Sequence, residues 1–245
     1  SPPPPHPTHP PLPFSHVQPS QSIYQSISEL FICYIITIVL DCSAWKNHGF
    51  TKNGVQPLYI SYETKYVYCN MYTDGGGWTT IHRRTSGELS FTRSLYEYTR
   101  GFSSSGNLWL GNYMIYILTY YGNTELRVDL EDWNGDTSYA KYGRFYVKKY
   151  NNIYTVDVGS YTGTAGDSLA QHNGMNFTTI DADNDLNTTK NCASGGGWWF
   201  NNCSFCNLNG EYVGDAENIK GITWYHWKNN WQSMKKASMM IRRPT

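Results

Sequence analysis

The stretch YVYCNMYTDGGGWTTIHRR, residues 66–84, decides the fold. Two runs rich in aromatic and β-branched residues, 66–72 and 78–84, flank Asp74 and three consecutive glycines. Such residues suit a pleated, half-buried surface, and the glycine turn between them predicts a β-hairpin. Just downstream, SLYEYTRGF predicts a short helix that ends at Gly101. GNYMIYILTYYG predicts a second helix, with Asn112 as N-cap and Gly122 as its stop. ELRVDLED sets Leu126, Val128 and Leu130 on one face and Arg127, Asp129 and Glu131 on the other, which is strand periodicity. YGRFYVKKYNNIYTVDV predicts two more strands around Asn151-Asn152. Strand signals then thin out until ASMMIRR near the end. The predicted class is α+β: a twisted, mainly antiparallel sheet with short helices. A loop-rich subdomain at about 160–235 hangs on the sheet, and a late strand returns to close it.

Composition supports a loop-rich domain packed on aromatics. The 245 residues include 21 Tyr, 9 Trp and 22 Gly, and only 16% are charged, against a usual level of about 25%. Net charge is zero, which leaves no electrostatic footprint for nucleic acid or an anionic membrane. Residues 1–40 are different material, a proline-rich low-complexity leader. It runs into the apolar segment LFICYIITIVL, too short to span a bilayer. That segment fits either a signal-peptide core, though without a basic flank, or a buried strand. Residues 41–245 are the folded domain. Six cysteines, four of them in patterned contexts, point to disulfides and an oxidising compartment. Sequons at Asn176, Asn187 and Asn202 agree with a secreted glycoprotein.

DADNDLNTTKNC, residues 181–192, places three aspartates at alternate positions. Carboxylates this close repel unless a cation sits among them, and calcium takes six to eight oxygens from carboxylates, carbonyls and water. An EF-hand would need Gly and Glu where Leu186 and Cys192 stand, so that loop type is excluded. A solvated Asx-rich turn is the competing explanation. Cys203-Ser-Phe-Cys206 is formally a CxxC, but no second CxxC or paired histidine cluster accompanies it. No HExxH, GxSxG or P-loop occurs, and the chain is not expected to be an enzyme. Glu131 and Asp132, adjacent on a strand, point to opposite faces and cannot act as a glycosidase pair.

In order along the chain, DCSAWKNHGFTKNGVQPLYI, VYCNMYTDGGGWTTIHRR, YTRGF, WLGN, LRVDLEDWNG, AGDSL, DADNDLN, GGGWWFNNC, NLNGEY and GITWYHWK resemble a fibrinogen-related domain. Ficolins, tachylectins, angiopoietins, tenascins and the fibrinogen chains share that module, so the resemblance speaks to fold more than to function. It implies disulfides Cys42–Cys69 and Cys192–Cys203, with Cys206 and Cys33 free, joined to each other or linking chains. It implies a calcium site of Asp183 and Asp185 with the carbonyls of Asn187 and Thr189. It also implies a ligand pocket lined by Ser194, Phe200, Asn202, Cys203, Ser204, Asn218 and Ile219, with a cis Asn202–Cys203 peptide. This lining departs from the family's acetyl-binding lectins: Ser204 replaces a histidine, Ser194 a tyrosine, and Asn218-Ile219 an aromatic–small pair. The expected function is calcium-dependent extracellular recognition of carbohydrate, of the kind used in innate immunity. A receptor or matrix ligand with purely structural calcium is the alternative, and relatives commonly gain avidity as homo-oligomers.

Overall fold

The computed structural model describes residues 40–60, 63–120 and 123–244. The apolar segment at 30–40 (save Leu40), Cys33 and the helix stop at Gly122 lie outside these residues. A helix α1 (Cys42–Asn47) leads into strands β1 (Gly54–Ile60), β2 (Glu63–Asn70) and β3 (Trp78–Arg84). Helix α2 (Leu95–Arg100), strands β4 (Phe102–Ser104) and β5 (Asn107–Trp109), and helix α3 (Asn112–Tyr120) follow. Next come β6 (Glu125–Glu131) and the long pair β7 (Thr137–Tyr150) and β8 (Ile153–Gly163). The remainder holds only β9 (Cys206–Asn207), β10 (Thr223–Trp224), the single turn α4 (Tyr225–Lys228) and β11 (Lys236–Arg242).

The hairpin forms, but β2 and β3 share only the pairs Cys69↔Thr79 and Asn70↔Trp78. The rest of β3 pairs with β11, which pairs on its other side with β6. The sheet order is β1-β2-β3-β11-β6-β7-β8, antiparallel throughout, with β5 joining β3 and β4 joining β5. The returning strand thus fills the middle of the sheet. Arg242 explains how its end is held: Nη1 donates to the carbonyls of Asp74 (2.7 Å) and Gly76 (2.9 Å), and Nε donates to Glu125 (2.6 Å). Gly76 sits at φ +76, where a Cβ would lie 2.2 Å from the Met71 carbonyl, so this turn position accepts only glycine.

Helix α2 carries a full capping box, Ser94 with Glu97, and stops at Gly101. Asn112 does not cap α3 as expected. It is the first helical residue, and its Oδ1 accepts from Trp109 Nε1 (3.1 Å), a buried indole N–H that it shares with the Tyr98 carbonyl (3.1 Å). Strand β1 carries too little alternation to be read from sequence; it includes Pro57, which its place at the sheet edge allows.

The loop-rich region docks through aromatic rings. Phe177 is fully buried, with ring centroids 5.0 Å from Tyr98, 5.6 Å from Trp109 and 5.2 Å from Trp199. Arg84, also buried, donates through Nη1 to the carbonyls of Leu208 (3.2 Å) and Gly210 (2.6 Å). Burial lowers its guanidinium pKa to about 10, so it stays charged at neutral pH. Phe177→Ala should cost about 3–5 kcal/mol, a transfer loss plus a cavity no neighbour can fill. Urea titration checks this; a loss under about 1 kcal/mol would mean that the region is held by other contacts.

Candidate functional site

The carboxylate loop is built from Asx turns. Asp185 Oδ1 accepts from Asn187 N–H (2.8 Å), and its Oδ2 accepts from Cys192 N–H (2.9 Å). Asn187 Oδ1 takes the N–H and hydroxyl of Thr189 and the N–H of Lys190. Burial raises the pKa of Asp185 against those amide bonds, and the adjacent Asp183 carboxylate, within hydrogen-bonding reach, raises it further. Asp181 is spent elsewhere: its Oδ1 accepts from Leu95 N–H (2.8 Å) at the start of α2 and from the Thr179 hydroxyl (2.7 Å). Two like charges held together favour a divalent cation between them. With the Asn187 side-chain oxygen turned into its own loop, the oxygens that Asn187 and Thr189 can offer are backbone carbonyls. Among the described residues no group of three or more His, Cys, Asp or Glu side chains converges, so a zinc-type donor set is lacking. Two adjacent carboxylates suit a hard, oxygen-seeking cation such as calcium, for which backbone carbonyls and water would have to complete the shell.

The chain next doubles back through GGGWWFNN. Cys192 and Cys203 are joined, with Cα atoms 5.5 Å apart, and Cys42 is joined to Cys69. Cys203 is therefore not free to pair with Cys206, which is a buried free thiol whose pKa burial pushes well up. Gly196 is at φ +147, and a Cβ there would lie 2.0 Å from the Asn209 carbonyl, which accounts for one glycine of the run. Trp198 exchanges backbone bonds with Thr178, and Trp198 and Trp199 are fully buried. The Asn202–Cys203 peptide is cis.

Two cavities flank this peptide. One, of about 90 Å³, is lined by Ser194, Phe200, Cys203, Ser204 and Ile219, together with Lys190, Lys220 and their neighbours. The other, of about 320 Å³, shares Cys203, Ser204, Ile219 and Lys190 and adds Asn202, His172 and Trp231 among others. Asn218 lines neither; its N–H donates to Trp231 O (2.9 Å) and its Oδ1 accepts from Lys220 N–H (3.0 Å), making it a turn residue. Asn187 ties the two halves together, donating from Nδ2 to Asn202 Oδ1 (2.7 Å). The lysines and the Gln171-His172 edge were not foreseen. Lys190 lies within the carboxylate motif, while Lys220 and the Gln171-His172 edge lie outside it and reach the cavities only through tertiary packing.

Comparison with known proteins agrees with this architecture. Residues 38–245 match the model for the C-terminal globular domain of fibrinogen beta and gamma chains. The chain belongs to that family. It is 42% identical over 208 residues to human tenascin-R, covering 82% of this chain and 15% of that protein. It is 41% identical over 225 residues to rat fibrinogen-like protein 1, covering 82% and 71%. Against human angiopoietin-1 it is 41% identical over 212 residues, covering 82% and 42%. It therefore spans under half the length of tenascin-R and angiopoietin-1. Among solved structures, the fibrinogen-like globe domain of human ANGPTL2 superposes with a TM-score of 0.80 at 37% identity, covering 84% of this chain and all of that one. Lamprey fibrin D-dimer, complexed with the peptide ligand Gly-His-Arg-Pro-amide, gives 0.76 at 26% identity, covering 92% and 86%.

In this fibrinogen-related domain His226 and His172 are each fixed by a local hydrogen bond. His226 is exposed, and the buried Ser168 hydroxyl beside its Nδ1 (3.0 Å) also accepts its backbone N–H, so Ser168 braces a turn. His172 is fully buried with Nδ1 2.7 Å from the Trp199 carbonyl; Nδ1 must carry the proton, leaving Nε2 as a lone-pair acceptor. Burial lowers its pKa from 6.5 to about 4, and burial with the nearby Arg84 charge lowers that of His82 to about 3. The unfolded chain takes up these protons below about pH 6.5, whereas the fold refuses them until pH 4 and 3. Stability is therefore full above pH 6.5 and falls as the solution is acidified. Near pH 5 the slope should reach about 2.7 kcal/mol per pH unit, two protons' worth. Urea melts from pH 7 to 4 check this; a slope below one proton's worth would mean that a ring is charged in the fold.

Proposed function

We propose that the domain is an extracellular, calcium-dependent recognition module that takes a group of a carbohydrate ligand into the paired cavities beside the carboxylate loop. The observation that carries this reading is the shared frame of loop and cavities. Cys192 donates to Asp185, and Asn187 donates to Asn202, so residues that order the carboxylates also order the cavity wall. Two disulfides suit an oxidising compartment, and no helix among the described residues is long and apolar enough to cross a membrane. Asp183 and Asp185 would hold calcium with the carbonyls of Asn187 and Thr189. The ion would supply the positive charge that lets both carboxylates stay ionised. The role is binding rather than catalysis. A peptide ligand is the second reading, favoured by the lamprey fibrin D-dimer, whose fold this chain shares and which was solved with a peptide bound.

A glycan array probed with calcium and again with chelator tests the choice. Calcium-dependent sugar hits support the first reading, and a blank array supports a peptide or protein ligand. Calcium itself should stabilise the fold by about 2.7 kcal/mol at a hundredfold excess over its Kd. Asp183→Ala should abolish most of that gain. A wild-type Tm indifferent to chelator would show that the loop is only a solvated turn.

A further inference from the structure

The two cavities carry a charge pattern that narrows the ligand. No Asp or Glu lines either one, whereas Lys190 lines both and Lys220 lines the smaller. Both lysines are exposed, and among the described residues neither ammonium takes part in an ion pair. The acids near Lys220 in sequence, Glu217, Asp215 and Glu211, lie outside both linings, Asp215 accepting from Gln232 Nε2 (2.6 Å). Those near Lys190, Asp183 and Asp185, face each other on the carboxylate loop. This bias is local, because the chain as a whole has zero net charge.

His172 and Trp231 also line the larger cavity, and His172 Nε2 and Trp231 Nε1 are buried polar atoms with no partner among the described residues. An indole N–H can only donate, so it suits an anionic or carbonyl oxygen. His172 Nε2, with its ring fixed by the Trp199 carbonyl, can only accept, so it suits a hydroxyl. Phe205 and Ile219 supply apolar wall beside these groups.

Resting on the carbohydrate reading above, we infer that the site selects an acidic saccharide, one bearing a carboxylate or sulfate near a free hydroxyl. Lys190, which lines both cavities, faces the anion, with Lys220 on the side of the smaller cavity and Trp231 on the side of the larger, where His172 accepts from the hydroxyl. Charge-assisted bonds from an ammonium are stronger than neutral ones, so the anion sets selectivity while the hydroxyl sets orientation. The same pattern disfavours a cationic ligand. Gly-His-Arg-Pro-amide, the peptide in the lamprey fibrin complex, carries an ammonium and a guanidinium, and these cavities offer neither a carboxylate.

The test uses sugar pairs that differ only in the anion: glucuronate against glucose, and galactose 6-sulfate against galactose. Each is titrated into the whole calcium-loaded protein and followed by NMR shift changes and calorimetry. The charged member of at least one pair should bind about tenfold tighter, the scale expected of two partly solvated charge contacts. Which pair shows the gap separates carboxylate from sulfate. The gap should shrink as salt rises. Lys190→Gln with Lys220→Gln should close it, while Lys149→Gln, an exposed lysine at the far end of β7, should leave it intact. Equal binding of charged and neutral sugars overturns the anion inference but leaves the carbohydrate reading standing. Absence of sugar binding alongside binding of Gly-His-Arg-Pro-amide overturns both. A gap that survives the double lysine variant places the anion elsewhere and overturns the assignment.

Discussion

The contact of Phe177 and Trp199 with Tyr98 and Trp109 is the constraint on which the rest of the molecule depends. The region between β8 and β11 has almost no ladder of its own. Backbone that makes few ladder bonds must satisfy its polar groups through side chains, and it gains its stability from buried surface. Tyr98 does both: its ring packs in the cluster, while its hydroxyl donates to Phe91 O (2.6 Å) and accepts from Gly197 N–H (3.0 Å). Arg84 and Asn209 extend the same principle, each spending a buried side chain on loop carbonyls. Positions in the glycine run follow from this crowding. At Gly197 a Cβ would lie 2.8 Å from the Tyr98 ring and 2.9 Å from the Phe177 ring.

Legibility of the fold in the sequence tracks the range of the interaction involved. The alternation in β6, the Asn151-Asn152 hairpin and the stop of α2 at Gly101 are local, and each appears where its residues predict it. The central place of β11 is a long-range choice between pairing partners, and nothing in ASMMIRR states which strands will flank it. Asn112 shows a local rule overridden: a good N-cap residue was drawn to a buried indole three residues away. At the site, the aspartates could be read because like charges at alternate positions demand an explanation. Even so, Asp181 resembles Asp183 and Asp185 in sequence and differs only in having Leu95 and Thr179 to bond. Lys190 and Lys220 carried no signal, since an isolated surface lysine is the commonest kind of residue to ignore.

The frame and the lining of the site obey different physics, which explains how one can persist while the other changes. The frame consists of a disulfide, two Asx turns and an aspartate held by two backbone amides. It uses backbone donors and short side chains, so almost any substitution in it breaks a bond. The lining is made by side chains projecting from that frame, such as Ser194, Ser204 and Ile219, and they can be exchanged without moving it. Loss of an imidazole and a phenol from such a lining removes apolar area and leaves hydroxyls, while the backbone underneath is unaffected. A cation bound between Asp183 and Asp185, as proposed, would act on the frame alone. It would tighten Asp185 on Cys192 and, through Asn187, steady Asn202 at the mouth of the larger cavity, without touching the ligand. On the proposed reading, metal dependence and ligand choice would thus be separable properties, the first written in the loop and the second in the few side chains that line the cavities.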